Sequence, residues 1–215
     1  MAGMRITRRF HACVDYTHGD TTVIVDPGSF ETPENLDSAD AVLITHIHPD
    51  HVDAAALDAA KTKNPALAIY GPAELAEHLS SEYTVVADGD TFTVGEITVE
   101  TFETPHGTIT SFIPLPENLG FILNGTVFQT GDSFPRLSER LRGVETVLIP
   151  VSAPWLKMLD VDTYLGESKP PRFIGIHDGI DNDNGVTLRT GLLTKLAQHH
   201  DLEFTPLRPG ESVEV

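Results

Sequence analysis

The chain holds one cysteine, Cys13, in 215 residues, so no intramolecular disulfide can form, and this usage fits a reducing compartment without requiring one. It is also poor in basic residues: 14 Lys and Arg stand against 32 Asp and Glu, a formal net charge of −18 with a sequence pI near 4.7. Coulomb repulsion at that charge keeps the surface away from phosphate backbones and anionic bilayers, which makes nucleic acid and membranes poor partners. Long apolar runs are missing too. No stretch approaches the ~20 residues needed to span a bilayer, and the opening MAGMRITRRFHACVDY carries charge where a secretory signal needs an apolar core. These absences predict a soluble, cytoplasmic protein. There is no Pro- or Ser-rich linker, and the length suits one sizeable core, so residues 1–215 are expected to form a single domain.

What is present is an alternation of strand and helix patterns. Met4 to Asp15 and Thr21 to Asp26 are rich in β-branched and apolar residues, and Tyr16 to Asp20 reads as the turn between them. Ala41 to Thr45 is a short continuous apolar run that suits a strand buried on both faces. The Ala-rich stretch Val52 to Lys63 predicts a helix, Leu67 to Tyr70 a strand and Pro72 to Ser80 a second helix. From Tyr83 to Asn124, and on into GTVFQTGD, strands separated by Gly and Asp turns suggest a meander. Strand Thr146 to Pro150, a short helix around Asp162 to Gly166, strand Phe173 to Ile176, helix Thr187 to His199 and a strand from Glu203 follow. Two similar halves, each of strands followed by helices, predict an α/β architecture of two packed sheets with helices outside, an αββα sandwich.

The stretch THIHPDHVD, Thr45 to Asp53, crowds three histidines and two aspartates into an otherwise aliphatic, acidic chain. Side chains two apart in an extended segment point the same way, so His46 and His48 can face one cation. Pro49 turns the chain and sets Asp50 and His51 at a helix N-terminus, within reach of a second position. Imidazole and carboxylate are ligands that Zn²⁺ accepts, and ions about 3.5–4 Å apart can share a bridging oxygen. The plainer alternative, Asp50 as a helix cap beside solvated histidines, accounts for one residue of the four. Further candidate ligands stand just beyond apolar strands: His106 in TPHGT, Asp132 in QTGDS and His177 in IGIHDG. Singly these read as a turn histidine, an Asx turn and a loop end. Together with the cluster they make seven candidate ligands and use five of the chain's 10 histidines.

In this order, Asp26, His46-x-His48-x-Asp50-His51, His106, Asp132 and His177 resemble the signature of the metallo-β-lactamase superfamily across essentially the whole chain. VIVDPG at Val23 to Gly28, LGFILNGTVFQTGD at Leu119 to Asp132, VLIPVSAPW at Val147 to Trp155 and RPGESVEV at Arg208 to Val215 resemble its single-domain cytoplasmic branch, metal-dependent hydrolases that include ascorbate-6-phosphate lactonase-like proteins. The resemblance implies the αββα sandwich with two divalent metal ions at one edge, Zn²⁺ or, in its place, Mn²⁺ or Fe²⁺. It implies that His46, His48 and His106 hold the first ion, that Asp50, His51 and His177 hold the second, and that Asp132 bridges them. Asp26 is implied to orient the cluster by hydrogen bonds.

Other branches fit less well. True β-lactamases are secreted, and many carry Cys at the position of Asp132. The nucleic-acid-processing branch has a large inserted domain, whereas only 45 positions separate Asp132 from His177. Flavodiiron proteins replace the second histidine with Glu and add a flavin domain, against His48 and this length. Glyoxalase II enzymes carry a helical C-terminal region, where this chain is expected to end on a strand.

Two such ions lower the pKa of a bridging water to roughly 7 and polarise a carbonyl or phosphoryl oxygen. Asp50 is then the expected catalytic residue, taking the water's proton and passing it to the leaving group. The expected activity is hydrolysis of a small-molecule ester, lactone, amide or phosphodiester; the alternative is a catalytically silent metal-binding sensor or scaffold. Cys13 is expected to pack within a strand. His11 reads as a partly buried strand histidine or a substrate contact, Trp155 as pocket mouth or packing, and Asp178 as tuning the second ion or narrowing what fits. His18, His78, His199 and His200 are expected to be solvated.

Overall fold

Val23 and Val25 pack into one buried cluster while Ile24, between them, packs into another, and Leu43 and Val42 divide in the same way. Alternation with apolar residues on both faces requires a covering layer on each side of the sheet. The computed structural model describes residues 3–136 and 139–215 and supplies those layers in two seven-stranded sheets with helices outside.

The first sheet contains β1 (Arg5–Arg8), β2 (Val14–His18), β3 (Thr21–Val25), β4 (Ala41–Leu43), β5 (Ala68–Gly71) and β6 (Thr84–Val85). The second contains β7 (Thr91–Val94), β8 (Ile97–Glu103), β9 (Leu119–Leu123), β10 (Val127–Gln129), β11 (Thr146–Pro150), β12 (Arg172–Ile176) and β13 (Glu203–Phe204). A last strand, β14 (Ser212–Glu214), returns to the first sheet beside β1, with Ile6 opposite Val213. Each sheet opens antiparallel and ends parallel: β3 to β6 run together, as do β10 to β13. Because β2 is antiparallel to both β1 and β3, and β9 to both β8 and β10, the C-terminal ends of β1, β3 and β4 share one edge, and those of β8, β10, β11 and β12 share another.

The αββα sandwich is the observed fold. Tyr16, Phe121, Leu148 and Ile174 lie in the core between the sheets. Helix α1 (Ala54–Lys63) covers the first sheet through Leu57 and Ala60, while α2 (Met158–Ser168) and α3 (Asp183–His200) cover the second through Val161, Leu165, Leu193 and Ala197. Each fully buried leucine, such as Leu57, contributes about 1.5–3 kcal/mol relative to exposure. Among the described residues no helix is long and apolar enough to cross a membrane.

Several expected boundaries move. Met4 to Asp15 is two strands, broken by a tight turn in which Cys13 N donates to the Phe10 carbonyl and Arg9 N to that of Cys13. Cys13 therefore precedes β2, although it is buried and packs under α1. Tyr16 to His18 belong to β2, leaving Gly19 and Asp20 as the turn. Pro72 to Ser80 contains only a short 3₁₀ helix, Ala73–Glu77. The helix near Asp162 is a longer one, and α3 begins at Asp183 because Asn182 caps it through Gly185 N. Asp53, not Asp50, caps α1, accepting Ala56 N at 3.0 Å. This leaves Asp50 and His51 in a turn ahead of the helix, with the Asp50 carboxylate free for another role.

Candidate metal centre

Loops after β4, β8, β10 and β12 bring all seven candidate ligands together, and the loop after β3 adds Asp26 behind them. His46, His48 and His106 offer ligand atoms within 4.8 Å of one another, as do Asp50, His51 and His177 together with His11. A third such set, His46, His51 and Asp132, joins the two groups. The loops touch closely: a Cβ on Gly28 would stand 1.9 Å from the Asp50 carbonyl oxygen, so only glycine lets the β3 loop pass the histidine cluster. His46, His51, His106, Asp132 and His177 are buried; His48 and Asp50 are half-buried and open the site to solvent.

Hydrogen bonds behind the rings fix which nitrogen faces the centre. His51 Nδ1 donates to Asp26 Oδ2 at 2.8 Å, His106 Nδ1 to the Gly107 carbonyl at 2.7 Å and His177 Nδ1 to the Ser152 carbonyl at 2.5 Å. For His46 the partner is Thr45 Oγ1 at 2.9 Å; that hydroxyl donates to Asp26 Oδ2 at 2.8 Å, so it accepts from the ring. In all four rings Nδ1 carries a proton to an outer partner, and Nε2 is turned inward. His46 Nε2 meets His48 Nδ1 at 3.1 Å, and His51 Nε2 meets His177 Nε2 at 3.1 Å. Ring nitrogens this close need a proton or a cation between them.

Asp132 lies between the groups. Its Oδ1 is 3.1 Å from His177 Nε2 and 3.3 Å from His51 Nε2, while its Oδ2 is 3.6 Å from His106 Nε2. Asp132 Oδ1 and His106 Nε2 are nonetheless buried without an aligned hydrogen-bond partner among the described residues. They stand at ion-pair distance from their neighbours without forming an aligned hydrogen bond. Leaving such groups unsatisfied costs about 1–3 kcal/mol each, and a divalent cation beside each would satisfy it. The donor set therefore fits metal.

Charge divides the groups. Burial pushes His46, His48 and His106 below the ordinary imidazole value, His46 furthest. Burial also pushes on His51 and His177, but Asp132, with Asp26 for His51 and Asp50 for His177, outweighs it and raises both, His177 to about 9. Burial works to raise Asp50 and Asp132, yet the neighbouring histidines hold both carboxyls well below the usual carboxylate range. Metal-free, the first group is neutral and the second stores protons that a cation has to displace.

Neighbouring residues the sequence left open take definite places. Trp155 Nε1 donates to Asp132 Oδ2 at 3.1 Å, so the indole is part of the site. Asp178 is ion-paired with Arg8, whose side chain is 5% exposed, and joins no set of convergent ligand atoms among the described residues. His11 is no strand residue: it sits in the turn after β1, fully buried, against Asp50. His78 and His199 are exposed as expected and His18 is half-buried, but His200 pairs with Asp162 at 2.7 Å. Thr45 and Asn118 were not singled out by the sequence. Asn118 Oδ1 accepts Asp132 N at 3.0 Å, and its only sequence signal is a polar residue immediately before an apolar strand.

A protein-family model described as a beta-lactamase superfamily domain matches residues 5–177. Protein Rv0786c of Mycobacterium tuberculosis is 30% identical over 199 residues, covering 90% of this chain and 92% of its own. The metallo-beta-lactamase fold protein YhfI from Bacillus subtilis superposes with a TM-score of 0.70 at 16% identity, over 99% of this chain and 100% of its own. An isothiocyanate hydrolase from Delia radicum gut bacteria gives 0.70 at 17% identity, over 99% of each chain. At such identities the structural likeness speaks to the fold, and the narrower lactonase likeness finds no support among these relatives. The family match and the relative that is similar along nearly its whole length establish that this chain belongs to the beta-lactamase superfamily, on the metallo-β-lactamase fold.

Proposed function

We propose that the protein is a two-metal hydrolase that cleaves a small-molecule ester, lactone, amide or phosphodiester. The observation that carries this is the divided donor set: two groups of inward-facing side chains with one Asp132 oxygen turned to each. An imidazole-rich set suits Zn²⁺, with Mn²⁺ or Fe²⁺ able to replace it. When bound, the ions supply Lewis acidity, acidifying water and polarising the substrate's carbonyl or phosphoryl oxygen.

The rest falls to the chain. His46, His48 and His106 hold one position, Asp50, His51 and His177 the other, and Asp132 spans them. Asp50, half-open to solvent, accepts the attacking water's proton and returns it to the leaving group. The hydrogen bond from His11 Nε2 keeps its carboxyl ionised, so it holds a proton only in passing. Trp155 steadies Asp132 through its indole N–H. Catalysis is favoured over a silent sensor or scaffold because His48 and Asp50 leave the site open, whereas structural metal sites are closed. The net charge of −18 supports a small molecule as partner, with neither nucleic acid nor membrane; the single cysteine supports a cytoplasmic protein, and the length without a Pro- or Ser-rich linker supports one domain.

The test is a panel of esters, lactones, amides and phosphodiesters given to the metal-loaded protein with and without chelator. Turnover that vanishes on chelation and returns with added ion supports the proposal. A metal-loaded protein inert across the panel favours the sensor or scaffold.

A further inference from the structure

His11 belongs to the second group of convergent side chains, yet its ring is set the opposite way from the others. Its Nδ1 accepts the backbone N–H of Gly179 at 3.0 Å, so the neutral ring carries its proton on Nε2, which lies 3.1 Å from Asp50 Oδ2. The four histidines that donate through Nδ1 turn a lone pair inward; His11 turns an N–H inward. A neutral imidazole with one nitrogen accepting and the other protonated has no lone pair left for a cation. We propose that His11 is a positioning residue, whose Nε2–H holds the Asp50 carboxylate in the orientation that completes the second metal position, and that it is not itself a ligand. This rests on the two-metal reading above.

The surrounding chain is built to hold that ring. His11 has φ 57°, a left-handed conformation that costs a non-glycine residue on the order of 1–3 kcal/mol and persists only where neighbours enforce it. The enforcement is visible. The His11 carbonyl accepts His177 N at 2.8 Å, and the two rings lie 3.9 Å apart between centroids. Gln129 Nε2 donates to the next carbonyl, that of Ala12, at 3.1 Å, while the buried Tyr16 hydroxyl donates to Gln129 Oε1 at 2.6 Å. The turn is thereby tied across the core to β10, the strand that leads to Asp132. Phe30 covers the ring at 4.8 Å between centroids. A Cβ at Gly179 would stand 3.0 Å from both His11 Cβ and His11 Nδ1 and 2.7 Å from Phe10 Cε1, so the Phe10 and His11 side chains would have to shift to admit it. Were His11 a ligand instead, the Gly179 N–H would lose its acceptor.

Metal titration tests this without a substrate. Metal-free wild type, His11→Ala, His11→Gln and Gly179→Ala are titrated with Zn²⁺ against a chromophoric chelator, reading each equivalent separately, with metal-free melting curves alongside. Glutamine's amide nitrogen reaches about as far as Nε2 and can donate to Asp50. Wild type is expected to take two ions. His11→Ala keeps the first and weakens the second by about 10- to 100-fold, the scale of a lost outer partner, while His11→Gln recovers to within about threefold of wild type. Gly179→Ala, which alters no side chain of the site but displaces the His11 ring, weakens the second ion as well. A second ion bound to His11→Ala at wild-type affinity overturns the inference. So does His11→Gln binding as weakly as His11→Ala, which makes the ring a ligand or mere packing. Wild type that takes only one ion sinks the two-metal reading and this inference with it, a result distinct from either variant outcome.

Discussion

His51 Nδ1 lies 2.8 Å from Asp26 Oδ2, with the two side chains 1% and 0% exposed. The same carboxylate accepts from Thr45 N and Thr45 Oγ1, each at 2.8 Å. Asp26 thereby sets the proton positions of two rings at once, His51 directly and His46 through the Thr45 hydroxyl.

Asp26→Asn tests that control. Asparagine can still accept Thr45 N through its oxygen, but its amide N–H groups then face the Thr45 hydroxyl and His51 Nδ1, donor against donor. His51 is driven to carry its proton on Nε2, where a ligand lone pair is needed. Metal affinity is expected to fall about 10- to 100-fold, read by chelator competition. Unchanged affinity would show that Asp26 only packs.

Asp50→Asn separates binding from chemistry. Asparagine keeps the shape and an oxygen but takes no proton at neutral pH. The variant is expected to keep the first ion and hold the second more weakly, while at Zn²⁺ that fills both positions kcat on any substrate found falls at least ~10²-fold. Turnover at the wild-type rate would make Asp50 a ligand only.

Asn118→Ala removes a buried amide that donates to Thr104 Oγ1 at 2.6 Å and to the Thr130 carbonyl at 3.1 Å while accepting Asp132 N at 3.0 Å. Its loss leaves the buried Asp132 N–H without its acceptor and the Thr130 carbonyl with only the Thr104 hydroxyl at 3.4 Å, so urea denaturation should show about 1–3 kcal/mol less stability. Metal content should drop too, because the Asp132 loop loses its anchor. Wild-type stability would mean the loop closes by other contacts.

The two metal positions should respond differently to pH. His46, His48 and His106 are pushed below the ordinary imidazole value and bind the first ion without giving up protons at neutral pH. His177, raised to about 9, and His51, also raised, must lose theirs to bind the second. Protons therefore compete at the second position throughout the range below about pH 9, and its affinity should rise about tenfold per pH unit for each proton displaced, while the first stays flat between about pH 7 and 9. Titrations at three pH values decide it; equal weakening of both equivalents on acidification would contradict this division.

The candidate ligands were legible because ligand chemistry restricts residue type, and histidine and aspartate beyond apolar strands stand out in a chain of this composition. The sandwich was legible for a similar reason, since runs such as Ala41 to Leu43 are apolar on both faces. The partners behind the rings were not. Those of His106 and His177 are backbone carbonyls of Gly107 and Ser152, and any residue supplies a carbonyl. His11 was misplaced because the turn at Arg9 to Ala12 holds neither Gly nor Pro, and a histidine takes the left-handed position that glycine usually marks. The start of α3 was missed because Asp183, Asn184 and Gly185 are turn formers by composition, and only the Asn182 cap commits them to helix.

Metal content decides the central claim. Protein purified without chelators, saturated with Zn²⁺ and freed of excess should carry two ions per chain by elemental analysis, and Asp132→Ala should lose metal from both positions, since that carboxylate faces both groups. One ion per chain at saturation, with His51 and His177 still titrating by NMR, would contradict the account.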